Sequence, residues 1–223
     1  MNSYYSDRLS AERLKRCYEI APPRVQQYLG AELNHVCERI CPGDVVLELG
    51  CGYGRVLPAL AGKAKMVVGI DTSLSSLLLG REMLRRHSTC ILINADAVRL
   101  ALRDHVFDVV VCVQNGISAF HVDKEELIRE SIRVVKRGGL VLFSSYSHKF
   151  WKHRLEWFRL QSEAGPLGEI DYEKTRDGVI VCKDGFVATT VGGKQFLSLT
   201  SEFKVDTKIV EVDDSSLFCE ITA

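Results

Sequence analysis

Residues 48–54 read Glu-Leu-Gly-Cys-Gly-Tyr-Gly, and this stretch decides the fold. It continues an apolar run at 45–49, which predicts a short buried strand of a parallel sheet. A helix is predicted over about 55–61. Glycines at alternate positions let the backbone turn sharply and approach a ligand without Cβ clashes. The first turn of the helix adds free backbone amides, so the stretch predicts a ligand-binding corner between a strand and a helix.

Strands and helices alternate around this corner as far as residue 145. Further strands are predicted at 66–70, 90–93, 107–113 and 140–145, with helices at 7–19, 23–40, 73–86 and 124–136. Gly138 and Gly139 are expected to close the last of these helices, where residues that tolerate positive φ are favoured. Such alternation predicts a parallel sheet with helices on both faces. Ligands of these sheets bind beyond the carboxyl ends of the strands, so the residues at strand ends form the candidate site.

The pattern changes after residue 146. The elements predicted there are a helix at 149–162, a β-hairpin at 179–190, a helix at 193–203 and a closing hairpin with strands at 208–212 and 217–222. A two-stranded hairpin is barely stable alone, so the one at 179–190 must pack on the rest of the chain. We therefore expect an insertion that roofs the carboxyl edge of the sheet together with the N-terminal helix. The chain is predicted to be a single domain with parts at 1–42, 43–146, 147–192 and 193–223.

Acidic residues stand at two predicted strand ends. Asp71 follows the second strand, where a carboxylate can accept both hydroxyls of a ribose. Asp96 follows the third strand, where it can accept a hydrogen bond from an adenine amino group. The glycines have the spacing G-x-G-x-G, whereas nicotinamide-dependent enzymes usually have G-x-G-x-x-G. No tyrosine is followed four residues later by lysine, the pair of short-chain reductases, so a nicotinamide-dependent oxidoreductase is the weaker alternative.

These motifs, in this order, resemble the class I (Rossmann-like) S-adenosylmethionine-dependent methyltransferases over about residues 43–146. Residues 48–54 match the glycine motif of that family, Asp71 its ribose-binding acid, and Asp96-Ala97 its adenine-contacting segment. The segments that enter the fourth and fifth strands are also similar, although the family more often has proline where this chain has Arg137. The resemblance implies a three-layer α/β/α fold, with a mostly parallel seven-stranded sheet and an antiparallel last strand.

The resemblance also implies S-adenosyl-L-methionine as the cofactor and methyl transfer as the reaction. The residues that it assigns to the cofactor are Glu48, Gly50, Cys51, Gly52, Gly54, Asp71, Thr72, Asp96, Ala97 and Gln114. Because such a cofactor supplies the electrophile, the protein contributes position and electrostatics, and we expect no metal site and no covalent nucleophile. Tyr53 and Arg55, beside the glycines, are assigned to local packing and solvent.

Residues 114–116, Gln-Asn-Gly, lie where the family places groups near the transferred methyl. They lack the acidic or Asn-Pro-Pro-aromatic tetrapeptide common in members that methylate amino groups of nucleic acids. The catalytic residue stays open, and the candidates are Asn115, which orients a polar acceptor but is not a base, and His121, with His148 as a weaker second base. The residues expected to line the acceptor site are Tyr4, Tyr5, Tyr18, Asn115 and Tyr146.

The composition narrows the class of partner. Lys and Arg together number 29, as do Asp and Glu, so no net field draws the chain to nucleic acid or to an anionic membrane. The sequence has no apolar run long enough to span a bilayer, no signal-peptide core and no C-x-x-C pair among its eight cysteines. We therefore expect a cytoplasmic monomer or homodimer that acts on a small molecule. The alternatives are a methyltransferase of RNA or protein and a cofactor-binding protein without chemistry.

Overall fold

The computed structural model describes Tyr4 and residues 8–223. The helices of this part of the chain are α1 (Ala11–Glu19), α2 (Pro23–Cys37), α3 (Leu57–Ala61), α4 (Leu74–Met83), α5 (Gly116–Ala119), α6 (Lys124–Val134), α7 (Trp151–Glu163) and α8 (Gly193–Thr200), with a 3-10 helix at His148–Phe150. The strands are β1 (Val45–Leu49), β2 (Met66–Asp71), β3 (Cys90–Asn94), β4 (Phe107–Cys112), β5 (Val135–Tyr146), β6 (Ile180–Val181), β7 (Val187–Ala188), β8 (Asp206–Val212) and β9 (Ser216–Thr222). Two prolines separate the first two helices, because Pro22 has an extended backbone and Pro23 opens α2.

Seven of the described strands form one sheet in the order β3-β2-β1-β4-β5-β9-β8. Strands β1 to β5 pair in parallel, and β9 lies antiparallel between β5 and β8. The turn between β8 and β9 contains Asp213 and Asp214, whose φ angles are 56° and 49°. Short polar residues tolerate this left-handed conformation, which matches the twist of a tight hairpin. The expected Rossmann-like sheet with an antiparallel last strand is confirmed.

The junction between α6 and β5 differs from the prediction. The sequence predicts a helix closed by Gly138 and Gly139, but α6 ends at Val134 and the next residue already pairs with Phe107 of β4. The register of the two strands then shifts. A Cβ on Gly139 would lie 2.8 Å from the carbonyl oxygen of Asp108, so this glycine permits the close approach of β5 to β4. The assignment of the two glycines to a helix end was wrong.

Apolar cores lie on both faces of the sheet. One core includes side chains of α6 and α8, and the other includes side chains of α2 and α3. Neighbouring residues of a strand supply opposite cores: Val110 belongs to the first and Val111 to the second, and both are fully buried. This alternation follows from the two-residue period of a strand. Each such side chain contributes about 1.5–3 kcal/mol by leaving water.

A third core joins α1 and α2 to the insertion at residues 147–192, called the cap below. Tyr28 of α2 and Phe186 of the cap are fully buried in it. The β6–β7 hairpin has only two residues in each strand, shorter than the predicted hairpin at 179–190. Arg154 of α7 is 1% exposed and donates hydrogen bonds to the carbonyl oxygens of Gly178, at 2.7 Å, and Ala188, at 3.2 Å. These bonds hold both sides of the hairpin on α7.

Candidate active site

A cavity of about 1090 Å³ lies at the carboxyl ends of the parallel strands, between the sheet, α1 and the cap. The predicted site residues that line it are Glu48, Gly50, Cys51, Gly52, Asp71, Thr72, Asp96, Ala97, Gln114, His121, Tyr4, Tyr18 and Tyr146. The fold thus brings most of the candidates together. Gly54, Asn115 and His148 are not in the lining, and Tyr5 lies outside the described residues.

The glycine corner has the backbone that its sequence predicts. Gly50, Gly52 and Gly54 have φ angles of 71°, 55° and 78°, a region that L side chains rarely adopt. Gly50 and Gly52 face the cavity. Gly54 faces the interior instead, where an added Cβ would lie 2.9 Å from a methyl carbon of Leu84. Its assignment to the cofactor is therefore corrected, since its missing side chain serves the packing of Leu84.

Asp71 ties the end of β2 to the glycine corner. One carboxylate oxygen accepts a hydrogen bond of 2.8 Å from the backbone N–H of Gly52, and the other accepts one of 2.7 Å from Ser73. Burial raises the pKa of Asp71, and these backbone bonds oppose the rise. Each oxygen keeps a further lone pair for a ligand hydroxyl. Asp96, an exposed residue that lines the same cavity, accepts a hydrogen bond of 3.0 Å from the backbone N–H of Val98.

Glu48 and Arg55 are an acidic and a basic residue that line the same cavity. Glu48 is 4% exposed, and its Oε2 atom has no hydrogen-bond partner among the described residues. The Nη2 atom of Arg55 is also buried and lacks such a partner. Burial raises the pKa of Glu48 to about 8, and the charge of Arg55 opposes that rise. Arg55, assigned from the sequence to packing and solvent, is a site residue whose signal was its place directly after the third glycine.

Gln114, beyond the end of β4, is held from two directions. Its backbone N–H donates a 3.1 Å hydrogen bond to Glu32 of α2, and its side-chain oxygen accepts one of 2.7 Å from the hydroxyl of Tyr18. Glu32 is 1% exposed and also accepts a hydrogen bond from Ser216. Burial raises the pKa of Glu32. Sequence reasoning missed this role of Glu32, because Glu32 lies on a helix far from any motif.

Asn115 has a different place from the one predicted. Its side chain is 5% exposed and does not line the cavity. The amide nitrogen donates to the carbonyl oxygen of Thr189 at 2.9 Å, and the amide oxygen accepts from the hydroxyl of Ser145 at 2.8 Å. Both polar ends are thus used to join β4 and β5 to the cap. The geometry makes Asn115 a structural link and does not support contact with an acceptor or a catalytic role.

The two candidate histidines differ in position. His121 is exposed, has a φ of 53° and lines the cavity beyond the end of α5. His148 is also exposed, but it opens the 3-10 helix and is not part of the lining. A group that takes a proton from an acceptor must be within reach of it. His121 therefore remains a candidate base, and His148 does not.

Aromatic side chains form the part of the cavity beneath the cap. Trp157 and Phe158 of α7 line it together with Tyr18 and Tyr146, and neither residue of α7 was predicted for the site. The indole N–H of Trp157 donates to the carbonyl oxygen of Cys17 at 2.9 Å, which fixes the ring. A further lining residue, Tyr4, donates a 2.6 Å hydrogen bond to Asp184 beside the β6–β7 hairpin. Tyr4 thus connects to the cap at the cavity.

Within Tyr4 and residues 8–223, no three His, Cys, Asp or Glu side chains are grouped so as to hold a metal ion. In the same residues, no helix combines the length and the apolar character needed to cross a membrane.

Residues 46–139 match the family model described as "Methyltransferase domain". The chain is 28% identical over 217 residues to an arsenite methyltransferase of Aquipseudomonas alcaligenes, covering 84% of this chain and 62% of that protein. It is 30% identical over 127 residues to a ubiquinone biosynthesis O-methyltransferase of Vibrio atlanticus, covering 53% of this chain and 51% of that protein. The chain thus spans between half and two thirds of the length of these two curated relatives.

The fold is similar to solved structures at low sequence identity. The N-methyltransferase NodS of Bradyrhizobium japonicum, solved in complex with S-adenosyl-L-homocysteine, aligns with a TM-score of 0.62 at 14% identity. The alignment covers 97% of this chain and 98% of that one. At this identity the likeness concerns the fold, and it extends over the cap as well as the sheet.

Proposed function

We propose that this chain, which belongs to the class I (Rossmann-like) S-adenosylmethionine-dependent methyltransferases, binds S-adenosyl-L-methionine and transfers its methyl group to a small-molecule acceptor. The pair Glu48 and Arg55 is the observation that carries the proposal. Both residues line one cavity, and each has a buried polar side-chain atom without a hydrogen-bond partner in the described chain. A ligand with adjacent ammonium and carboxylate groups satisfies both.

The methionine half of S-adenosyl-L-methionine has these two groups. We assign its amino group to Glu48 and its carboxylate to Arg55, since a charge that stays buried without a partner is costly. The adenosine half fits the acids of the neighbouring strands. Asp71 keeps lone pairs for the ribose hydroxyls, and we assign the adenine to Asp96-Ala97, which line the same cavity. Gly50 and Gly52 expose backbone where a Cβ would otherwise stand.

The residues of the chain position the reactants. When bound, the cofactor supplies a methyl group on a positively charged sulfur, which an acceptor nucleophile attacks in line. Gln114, fixed by Glu32 and Tyr18, orients a polar acceptor at the end of β4. Tyr146 lines the same region. His121 takes the proton of an acceptor hydroxyl or thiol, because it is the histidine of the described cavity wall.

The size and cover of the cavity support a small acceptor. A pocket for one drug-sized molecule has about 300–1,000 Å³. The volume here, about 1090 Å³, leaves room for the cofactor and a modest second molecule. Tyr4 and residues of the cap line the cavity, and a cavity lined from several sides suits a small molecule better than duplex nucleic acid. Methylation of RNA or protein is therefore the second candidate function.

We do not propose arsenite as the acceptor of this chain, although the name of one relative contains it. Arsenic(III) is a soft centre that prefers thiolate ligands. In the described cavity lining, the thiols are those of Cys17 and Cys51, and burial raises the pKa of both, that of Cys17 to about 12. Two protonated thiols make a poor arsenic site.

The location and assembly of the protein are also proposals. All eight cysteines lie in described residues and are free thiols, which supports a reducing compartment such as the cytoplasm. The equal numbers of acidic and basic residues support a chain that does not depend on nucleic acid. We propose a monomer or a homodimer.

Titration calorimetry tests the proposed cofactor. We expect S-adenosyl-L-homocysteine and S-adenosyl-L-methionine to bind and NADH not to bind. Glu48→Gln should weaken binding by about 1.5–3 kcal/mol, the range for a hydrogen bond to a charged group. The matched control is Glu202→Gln, since Glu202 is exposed and does not line the cavity. Tight NADH binding, or equal affinities of the two variants, would overturn the assignment.

A further inference from the structure

Glu32 is a buried carboxylate on α2, far in sequence from the glycine corner. It is 1% exposed, and apolar side chains such as Val36 and Val111 border the same narrow gap. One carboxylate oxygen accepts a hydrogen bond from the hydroxyl of Ser216, and the other accepts one of 3.1 Å from the backbone N–H of Gln114. A carboxylate is costly to bury, and an apolar residue would suit packing alone. The contacts of Glu32 therefore indicate a role beyond packing.

Gln114 lies in a tight turn beyond β4. The backbone N–H of Gly116 donates to the carbonyl oxygen of Val113 at 3.2 Å. The two residues between them, Gln114 and Asn115, have φ angles of 55° and 63°. Glycine and asparagine are the usual residues of such a turn, whereas the side chain of glutamine opposes a positive φ, so surrounding contacts must hold the turn. The hydrogen bond that Gln114 donates to Glu32 is one of these contacts.

The turn directs two neighbouring side chains to different places. Gln114 lines the cavity, whereas the amide of Asn115 donates to the carbonyl oxygen of Thr189 in the cap. The side-chain oxygen of Gln114 accepts the 2.7 Å hydrogen bond from Tyr18. The backbone of Gln114 is thus fixed from α2, and its side chain is fixed from α1. A binding residue whose conformation is fixed before the ligand arrives loses little entropy on binding.

We infer that Glu32 is a positioning residue for the cofactor site, because it holds the turn at Gln114 so that the glutamine side chain stands in the cavity before the cofactor binds. Glu32 is not part of the cavity lining, so it acts through Gln114 and not by contact with a ligand. The inference rests on the proposed function, since the family resemblance assigns Gln114 to the cofactor. The alternative is that Glu32 only fastens α2 to the sheet.

Two substitutions of Glu32 separate hydrogen bonding from packing. Glu32→Met keeps the length of the side chain and removes both acceptor oxygens. Glu32→Gln keeps one oxygen for the N–H of Gln114, and the hydroxyl of Ser216 has the carbonyl oxygen of Ser145 as a second acceptor, at 3.3 Å. Glu38→Met is the matched control, because Glu38 is exposed at the end of α2 and does not line the cavity.

The Glu32→Met substitution is also made in the Gln114→Gly background. Glycine adopts a positive φ without support and lacks the side chain that Glu32 is inferred to position. Titration calorimetry with S-adenosyl-L-homocysteine measures the affinity of every variant. Urea unfolding shows that each variant is folded under the conditions of the titration.

In the natural chain we expect Glu32→Met to weaken binding about tenfold, in keeping with the loss of a hydrogen bond to a charged group. Glu32→Gln and Glu38→Met should stay within about twofold of the natural affinity. Gln114→Gly should itself weaken binding, and Glu32→Met should then add less than about twofold, because the side chain through which it acts is missing. If Glu32→Met does not fold, Glu32→Asp, whose shorter side chain withdraws the carboxylate, should show the same dependence on the background.

Unchanged affinity of a folded Glu32→Met variant would overturn the inference and leave Glu32 as a fastening of α2. So would an equal loss of affinity in both backgrounds, which indicates a general loosening of the fold, or an unchanged affinity of Gln114→Gly. A loss for Glu32→Gln as large as that for Glu32→Met would also overturn it, since the acceptor oxygen would then not account for the effect. If the natural chain does not bind S-adenosyl-L-homocysteine, the proposed function fails instead, and the two failures are distinguishable.

Discussion

The hydroxyl of Tyr18 donates a hydrogen bond of 2.7 Å to the side-chain oxygen of Gln114 and so connects α1 to the end of β4. The ring of the same tyrosine lies 4.5 Å from the guanidinium of Arg55. Gln114 is also held by Glu32 through its backbone, at a φ of 55°. Tyr18 therefore touches the side of the cavity assigned to the acceptor and the side assigned to methionine.

Replacing Tyr18 with Phe keeps the ring and removes this hydrogen bond. We expect the free energy of unfolding to fall by about 1 kcal/mol, the usual net value of one bond. The affinity for S-adenosyl-L-homocysteine should fall about fivefold, because Gln114, a residue that the family resemblance assigns to the cofactor, loses the hydrogen bond that fixes its side chain. Urea unfolding and calorimetry measure the two effects. Tyr172→Phe is the control, since Tyr172 is 61% exposed; identical affinities of the two variants would contradict the prediction.

Glu48 makes stability depend on pH. Burial raises its pKa to about 8 from an ordinary value of 4.5, so the unfolded chain loses this proton at lower pH than the folded chain. Between these values the unfolded state binds fewer protons, and the free energy of unfolding falls as pH rises. The Glu48→Gln variant has no such titration. It should therefore gain stability over the natural chain, by up to a few kcal/mol, as pH rises from about 5 to about 8.

Urea unfolding of both proteins across this pH range measures the difference. Glu202→Gln serves as the control, because it removes one exposed carboxylate and leaves the buried one in place. Parallel pH profiles for Glu48→Gln and the natural chain would show that Glu48 has an ordinary pKa in the folded protein.

Gly50 has no room for a side chain. Its φ is 71°, and an added Cβ would lie 2.3 Å from the ring of Phe120. We expect Gly50→Ala to cost about 2–4 kcal/mol of stability, from the left-handed backbone and the displaced ring. It should also abolish measurable binding of S-adenosyl-L-homocysteine. Gly43→Ala is the control, since that glycine has open space around it. Similar melting temperatures for the two variants would refute the prediction.

The features that the sequence predicts best are those set by local pattern. Three of these features lie close together in the chain. They are the apolar run of β1, the glycines after it and Asp71 at the next strand end. Their spacing alone places them at one edge of a parallel sheet. The closing hairpin is also predicted by local pattern. Asp213 and Asp214 suit the turn between two strands in which apolar and polar residues alternate. These features determine the fold and most of the proposed cofactor site.

The features that escape prediction depend on contacts across the chain. Glu32 bonds to Gln114 across 82 positions of sequence, and no helical pattern shows which buried acid will do so. Arg154 and Trp157 lie on α7, whose place over the cavity depends on the packing of the third core. Gly139 resembles a helix end locally, but the approach of β5 to β4 decides its role.

The Asn115→Ala variant distinguishes a structural role of Asn115 from a role in binding or catalysis. Its amide joins Thr189 and Ser145, at 2.9 and 2.8 Å, and its φ is 63°. Asn115→Ala leaves buried polar partners without bonds and puts alanine in a left-handed conformation, so we expect a loss of about 2–4 kcal/mol of stability. Affinity for S-adenosyl-L-homocysteine, measured where the variant is folded, should stay unchanged. Asn34→Ala, at an exposed position of α2, is the control. If Asn115→Ala is as stable as this control but binds the cofactor product poorly, Asn115 belongs to the binding site and not to the link between sheet and cap.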